Sequence, residues 1–241
     1  MASPLYIEDI LQLIIAQLAS DSDKQSLARL AQTCKAFSDP CLDSLWHTMD
    51  SFSPFIPLLP RSAHSALRGE RGVLYHCATL KSHWSTLTRR LNILCRAGVH
   101  IKRPGEWESF DKYARRVQAY SQTTLDENHI AVDNYYLQHA YQRISTMRQK
   151  HLFPNLRDLV WLILDSHSLE SWSLPSSLQS LTIFQPPFTG LDDVLRQVVH
   201  DVPDLETLEI IFDLPHSALY TTLDPLPFNR LKSITLVFLE S

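Results

Sequence analysis

Apolar side chains in the first fifty residues recur at helical spacing. Ile7, Ile10, Leu11, Ile14, Ile15 and Leu18 follow the three- and four-residue steps of one helical face. The polar turn Ser20-Asp21-Ser22-Asp23 closes that segment, and Ser22 with Gln25 three residues later has the form of a capping box for a second helix. Leu27, Leu30, Ala31 and Cys34 line the second helix. Asp39-Pro40 predicts the start of a third, an oxygen acceptor followed by a proline whose missing N–H is harmless in a first turn. Its buried side would be Leu42, Leu45 and Trp46. Three helices of about ten residues each bury little surface, so such a unit leans on a partner or on the rest of its chain. The pattern then breaks at the proline-rich Ser51 to Pro60, read as a linker. Trp84, Leu87, Leu91 and Leu94 mark a helix within 81–96, and Arg68 to Gly72 an exposed loop. Trp107, Phe110, Ala114, Val117 and Tyr120 form a further helical stripe with Lys112, Arg115 and Arg116 outward. Asn134 to Lys150 reads as another helix, with Leu137, Tyr141 and Ile144 inward.

The last ninety residues change character and repeat. Leu156-x-x-Leu159-x-Trp161, Leu178-x-x-Leu181-x-Ile183, Leu205-x-x-Leu208-x-Ile210 and Leu231-x-x-Ile234-x-Leu236 share one form, their first leucines 22, 27 and 26 residues apart. That period belongs to leucine-rich repeats, in which each unit gives a short strand and a return segment. The second leucine and the residue two further on point inward, and the first fills the corner where the chain turns into the strand. Stacked units then pair their strands in parallel over a shared core. Pro154, Pro203 and Pro227 precede three of the strands, where proline is tolerated. Gly190 to His200 reads as a return helix, with Asp192 and Asp193 near its start and His200 near its end suiting its dipole. The asparagine of the usual repeat consensus is absent, which makes these repeats irregular. The last unit reaches almost to residue 241 with no capping segment. The sequence therefore predicts either a shortened version of a longer protein or an edge covered by something else.

Composition narrows the chemistry. Of 241 residues only 5 are glycine (69, 72, 98, 105 and 190), and no GxGxxG or GxxxxGK[ST] string can be assembled from them. The longest apolar run, Leu159 to Leu164, is far short of the ~20 residues that span a bilayer. Glu8 and Asp9 inside the first apolar stretch argue for an amphipathic helix over a secretory signal. Four cysteines (34, 41, 77 and 95) form no CxxC, and no Asn-x-Ser/Thr site occurs. Both features fit a reducing compartment, cytoplasmic and/or nuclear, with the thiols buried as small hydrophobes.

Net charge is −4, unevenly spread. Residues 61–120 hold 12 basic and 4 acidic side chains, whereas 151–241 hold 4 and 12. In the basic middle, Lys102, Arg103, Lys112, Arg115 and Arg116 could contact phosphates, with Trp84 or Trp107 stacking on bases. A pI near 6.2 and the place of Trp107 on an apolar stripe weigh against that reading. The 11 histidines form no HxxxH, HExxH or Cys/His cluster at ligand spacing, and no GxSxG string is present. Glu106 and Glu108, about 200° apart on a helix, read as a solvated face. The sequence thus points to a non-enzyme with no cofactor, no metal and no membrane partner.

The N-terminal segment resembles an F-box, the three-helix motif at the start of many ubiquitin-ligase substrate receptors. Ile7-Glu8-Asp9-Ile10-Leu11 is similar to that family's Pro-Glu-Asp-Val-Leu opening. Leu27-Ala-Arg-Leu30-Ala31 through Cys34-Lys35-Ala-Phe37 is similar to its second helix, and Leu45-Trp46 to its closing pair. Ile7 stands where the family has proline and Phe37 where it has tryptophan; both stay apolar. Trp107 to Val117 and Phe153-Pro154-Asn155-Leu156 resemble segments recurrent in fungal, particularly mushroom, F-box proteins with leucine-rich repeats.

The resemblance implies an α+β chain: an F-box over 1–50, a linker and helical connector over 51–150, and a leucine-rich-repeat solenoid with short parallel strands over 151–241. It further implies a non-catalytic substrate receptor that docks on the small acidic adaptor of an SCF-type cullin–RING ligase, and through it a cullin, while the repeats hold a target. Ile7, Ile10, Leu11, Ile14, Leu27 and Trp46 are the expected adaptor contacts, because anchors near an interface centre dominate its energy. Internal packing is the competing role for each, and the expected one for Ile14, Leu30 and Leu45. Arg157, Asp158, Gln179, Ser180, Glu206 and Thr207 are candidate target-facing positions. A leucine-rich-repeat scaffold outside any ligase is the alternative.

Overall fold

The computed structural model describes residues 4–20, 23–60, 63, 106–121, 141, 144–148, 150–162, 174–184, 191–212 and 228–238. The chain forms two compact units: Met1–Thr48 with Phe52–Val117, and Met49–Ser51 with Gln118–Ser241. The expected helix at 81–96, the loop at Arg68 to Gly72 and Leu137 lie outside the described residues.

In the first unit α1 spans Pro4–Ser20, α2 Lys24–Thr33 and α3 Lys35–His47. Both starts differ from expectation. The cap of α2 is Asp23, not Ser22: its Oδ1 accepts the Ser26 N–H at 2.9 Å, and hydrogen bonds from the Ser26 side chain first, then from the Ser26 and Gln25 backbone, hold its carboxyl below the usual carboxylate range. Helix α3 begins four residues before Asp39, after a single extended residue, Cys34. Pro40 therefore sits inside it and removes the amide that would have met the Ala36 carbonyl. Leu27, Ala28 and Ala31 of α2 and Cys41, Leu42, Leu45 and Trp46 of α3 are buried, while Leu30 is only half-buried. Cys34 is exposed, so the expectation of buried thiols is met by Cys41 and not by Cys34.

Ser51 to Pro60 is no exposed linker. Ser53–Leu58 forms a 3-10 helix whose Pro54, Phe55, Ile56 and Leu58 are buried, as are Phe52 and Leu59 on either side. Proline breaks α-helical pairing there, yet its rings and their apolar neighbours still supply core. The helical stripe from Trp107 also ends early. Helix α4 spans only Glu108–Ala114; Val117 is buried beyond it, and Tyr120 lies in a strand. Arg116 does not face outward, its side chain being 14% exposed.

The second unit carries a parallel sheet. Its strands are β1 (Thr48–Met49, which straddles the two units), β2 (Ala119–Ser121), β3 (Asp158–Leu162), β4 (Ser180–Phe184), β5 (Thr207–Phe212) and β6 (Ser233–Phe238), in the spatial order of the sequence. The register aligns Tyr120, Leu159, Leu181, Leu208 and Ile234 in one column, and Trp161, Ile183, Ile210 and Leu236 in another. Alternation then sends every second side chain of each strand to the same face. Through β5 these columns are buried. At β6 the register keeps Ile234 and Leu236 in the inward columns as expected, but they are 53% and 45% exposed.

One backbone device recurs at each strand. The Gln118 carbonyl accepts the N–H groups of Arg157 and Asp158, that of Arg157 those of Gln179 and Ser180, that of Gln179 those of Glu206 and Thr207, and that of Glu206 those of Lys232 and Ser233. Leu156, Leu178 and Leu205, each three residues before its column residue, are buried, as expected of corner positions. Helix α5, Leu191–Asp201, matches the expected return helix and buries Leu191, Val194, Leu195 and Val198. Of the helix expected over Asn134 to Lys150, residues 141 and 144–148 are helical, with Ile144 buried.

Candidate docking surface

Helix α1 carries more apolar residues than one buried stripe needs. From Asp9 to its end only Ile15 is buried. Ile10, Leu13 and Ile14 stand 55%, 70% and 44% exposed, and their i, i+3, i+4 spacing puts them on one face. Each full burial of such a side chain contributes about 1.5–3 kcal/mol, so covering this half-exposed face favours association. The apolar patch is the chemistry of a protein–protein contact.

The six expected contacts separate into two groups. Ile10 and Ile14 are exposed on α1, and Leu11 beside them is half-buried. Ile14 therefore does not take the internal role expected of it, whereas Leu45 does, at 4% exposure. Leu27 and Trp46 are 2% and 1% exposed and sit inside the unit, where they support the helices that present the patch. Ile7 lies in α1, but its side chain is outside the described residues. Leu13 was not among the expected contacts. Its signal was the width of the apolar arc: Leu13 falls off the Ile7–Leu18 stripe, and a helix apolar beyond one stripe has more to cover than one neighbour can.

What holds this surface in place lies partly beyond the three helices. The Trp46 indole meets Phe55 edge-on at 4.9 Å between centroids and Tyr113 at 4.9 Å. Phe55 in turn packs on Phe52 at 5.7 Å and on Phe110 at 5.4 Å. The 3-10 helix and α4 thus form an aromatic seat under the end of α3. A polar clamp joins the same elements. The Arg116 guanidinium donates to Asp39 Oδ1 at 2.8 Å, to the Asp39 carbonyl at 3.2 Å and to Asp43 Oδ1. Asp39, expected as a helix cap, is instead one jaw of that clamp, and Arg116, considered as a phosphate contact, is already occupied.

In the second unit the target-facing candidates fall into two sets. Asp158, Ser180 and Thr207 open their strands on the face opposite the buried columns. Arg157, Gln179 and Glu206 sit one residue earlier and supply the bifurcated carbonyls. Among the described residues no group of three or more His, Cys, Asp or Glu could hold a metal ion, and no helix is long and apolar enough to cross a membrane.

Residues 8–51 match the family model described as F-box-like. The match runs from the first turns of α1 through β1 and supports an F-box protein; F-box domains typically bind the adaptor of SCF-type ligases and so link to a cullin. No curated protein and no solved structure matches the chain.

Proposed function

We propose that the chain is a non-catalytic substrate receptor of an SCF-type cullin–RING ubiquitin ligase. In this reading α1 to α3 dock on the small acidic adaptor through Ile7, Ile10, Leu11, Leu13 and Ile14, with Leu27 and Trp46 setting the helices beneath. The sheet region, read as irregular leucine-rich repeats of the kind seen in fungal F-box proteins, holds a protein target. One observation carries the proposal: the F-box-like match covers the helix that leaves Ile10, Leu13 and Ile14 exposed. Support for the repeat reading comes from the register, which stacks the four LxxLxL strings residue on residue.

The test is co-purification of the full chain with the adaptor, comparing wild type with an Ile10→Asp, Ile14→Asp double variant. Two carboxylates in a desolvated contact weaken binding by at least 100-fold, because each would be buried unpaired. Both positions are exposed in the free chain, so thermal unfolding of the variant should stay close to wild type. A wild-type chain that fails to bind the adaptor would leave a repeat scaffold outside any ligase.

A further inference from the structure

The outer face of the sheet, opposite the buried columns, has its own chemistry. Register and alternation set its positions in columns that run across the strands. One is apolar throughout: Leu162, Phe184, Ile211 and Val237. The column beside it, about 6.7 Å away along the strands, is Val160, Thr182, Glu209 and Thr235. These side chains are half-buried, apart from Thr235, which is exposed. Glu209 sits between two threonines, and the Thr182 hydroxyl donates to its Oε2 at 3.1 Å. That bond fixes a carboxylate next to an apolar strip. Asp158 adds a second negative charge to the same face, and no Lys, Arg or His occupies an outer-face position of β3 to β6. Glu206, before β5, is paired with Lys232 Nζ at 2.7 Å.

Resting on the receptor reading above, we infer that this face binds its target through an extended peptide segment carrying a Lys or Arg beside apolar residues. The charge is complementary: an oriented carboxylate and a second acid stand on a face whose described strand positions carry no cation. The shape fits as well. Four strands at about 4.8 Å spacing make a strip roughly 14 Å wide, which an extended segment of four or five residues crosses with two or three side chains down. A basic side chain lays its methylenes on Ile211 and Phe184 while its head reaches Glu209, the usual division of labour for a long cationic side chain. An acidic or purely apolar segment would leave Glu209 desolvated and unpaired.

The probe is a phage-displayed library of random twelve-residue peptides, panned on the immobilised full chain. Selected peptides are then synthesised and measured by fluorescence anisotropy against wild type, Glu209→Gln and Asp193→Asn. The selected pool should be enriched in Lys or Arg next to apolar residues, and binding should weaken at least tenfold in Glu209→Gln. It should weaken again between 50 and 300 mM salt, as a screened charge contact must. Asp193→Asn, on the return helix α5 and 85% exposed, should stay within about twofold. No binders, a pool without basic enrichment, or equal affinity for Glu209→Gln would each overturn the inference. The adaptor co-purification is read separately. A chain that binds the adaptor but no basic peptide loses only this inference, and one that binds the peptides but not the adaptor loses only the ligase role.

Discussion

Replacing Phe55 by alanine tests whether the F-box-like helices depend on residues outside the matched segment. Phe55 is fully buried and meets Trp46, Phe52 and Phe110 at 4.9, 5.7 and 5.4 Å between ring centroids. Removing a buried phenyl ring costs about 3–5 kcal/mol, transfer and cavity terms together. The lost edge-on contact with Trp46 is among the aromatic pairs worth about 0.5–1.5 kcal/mol beyond area. At about 1.4 kcal/mol per factor of ten, the lower bound of 3 kcal/mol is a change of more than ~100-fold in an opening equilibrium. Amide hydrogen exchange followed by mass spectrometry reads that directly on peptides from α2 and α3, whose buried Leu27, Leu42, Leu45 and Trp46 tie them to the first unit's core. The expected result is that protection over 24–47 falls by at least that factor, or to the point where the unit is open throughout. Peptides from β3 to β5, in the other unit, supply the internal comparison. Unchanged protection across α2 and α3 would refute the reasoning, because the helices would then be stable without the seat.

The cap of α2 gives a pH signature. Its carboxyl is held low in the folded chain, so Asp23 stabilises α2 above the unfolded value near 3.8, and the contribution is lost as pH falls through the lower folded value. Amide protection in α2 should drop over that acid range in wild type, with a smaller pH dependence in Asp23→Asn. Cys34 and Cys41 should separate on alkylation: Cys34 is exposed, while burial, and secondarily Cys34, push the Cys41 thiol up. A short iodoacetamide pulse at neutral pH, read by peptide mass, should label Cys34 and spare Cys41. Within one sheet column, Leu181→Ala should cost about 2–5 kcal/mol in urea unfolding, whereas Ile234→Ala, at 53% exposure, should cost less than half as much. Equal losses would mean that β6 is covered as well as β4.

The strands of the sheet were legible because their signal is local and redundant. Each LxxLxL string fixes a corner residue and two inward residues, and four of them lie in phase, so β3 to β6 fall where the strings place them. Strand β2 carries a weaker copy of the same signal. Val117-x-x-Tyr120 has the corner and first inward residue in phase with Leu156-x-x-Leu159, but 39 residues separate the two corners, and Gln122 stands where the second inward residue would be. Tyr120 is also three residues from Val117, a spacing that a helix shares, and this is why the stripe from Trp107 ran too far. The errors in the first unit have a common physical source. Asp39-Pro40 looks like a helix start and Ser51 to Pro60 like a linker if each is judged by its own backbone preferences. Both are overruled by tertiary partners: Arg116, 73 residues beyond Asp43, takes the carboxylates, and Trp46 and Phe110 cover the proline-rich turn. Local rules rank conformations within about a kilocalorie per residue, and a buried aromatic ring outweighs that several times over. The same asymmetry explains the docking surface. Periodicity marks which residues of α1 are apolar, but which of them face water depends on α2 and α3. Ile15 is buried and Ile10, Leu13 and Ile14 are open, so the face offered to a partner is the part of the apolar arc that the chain's own core does not use.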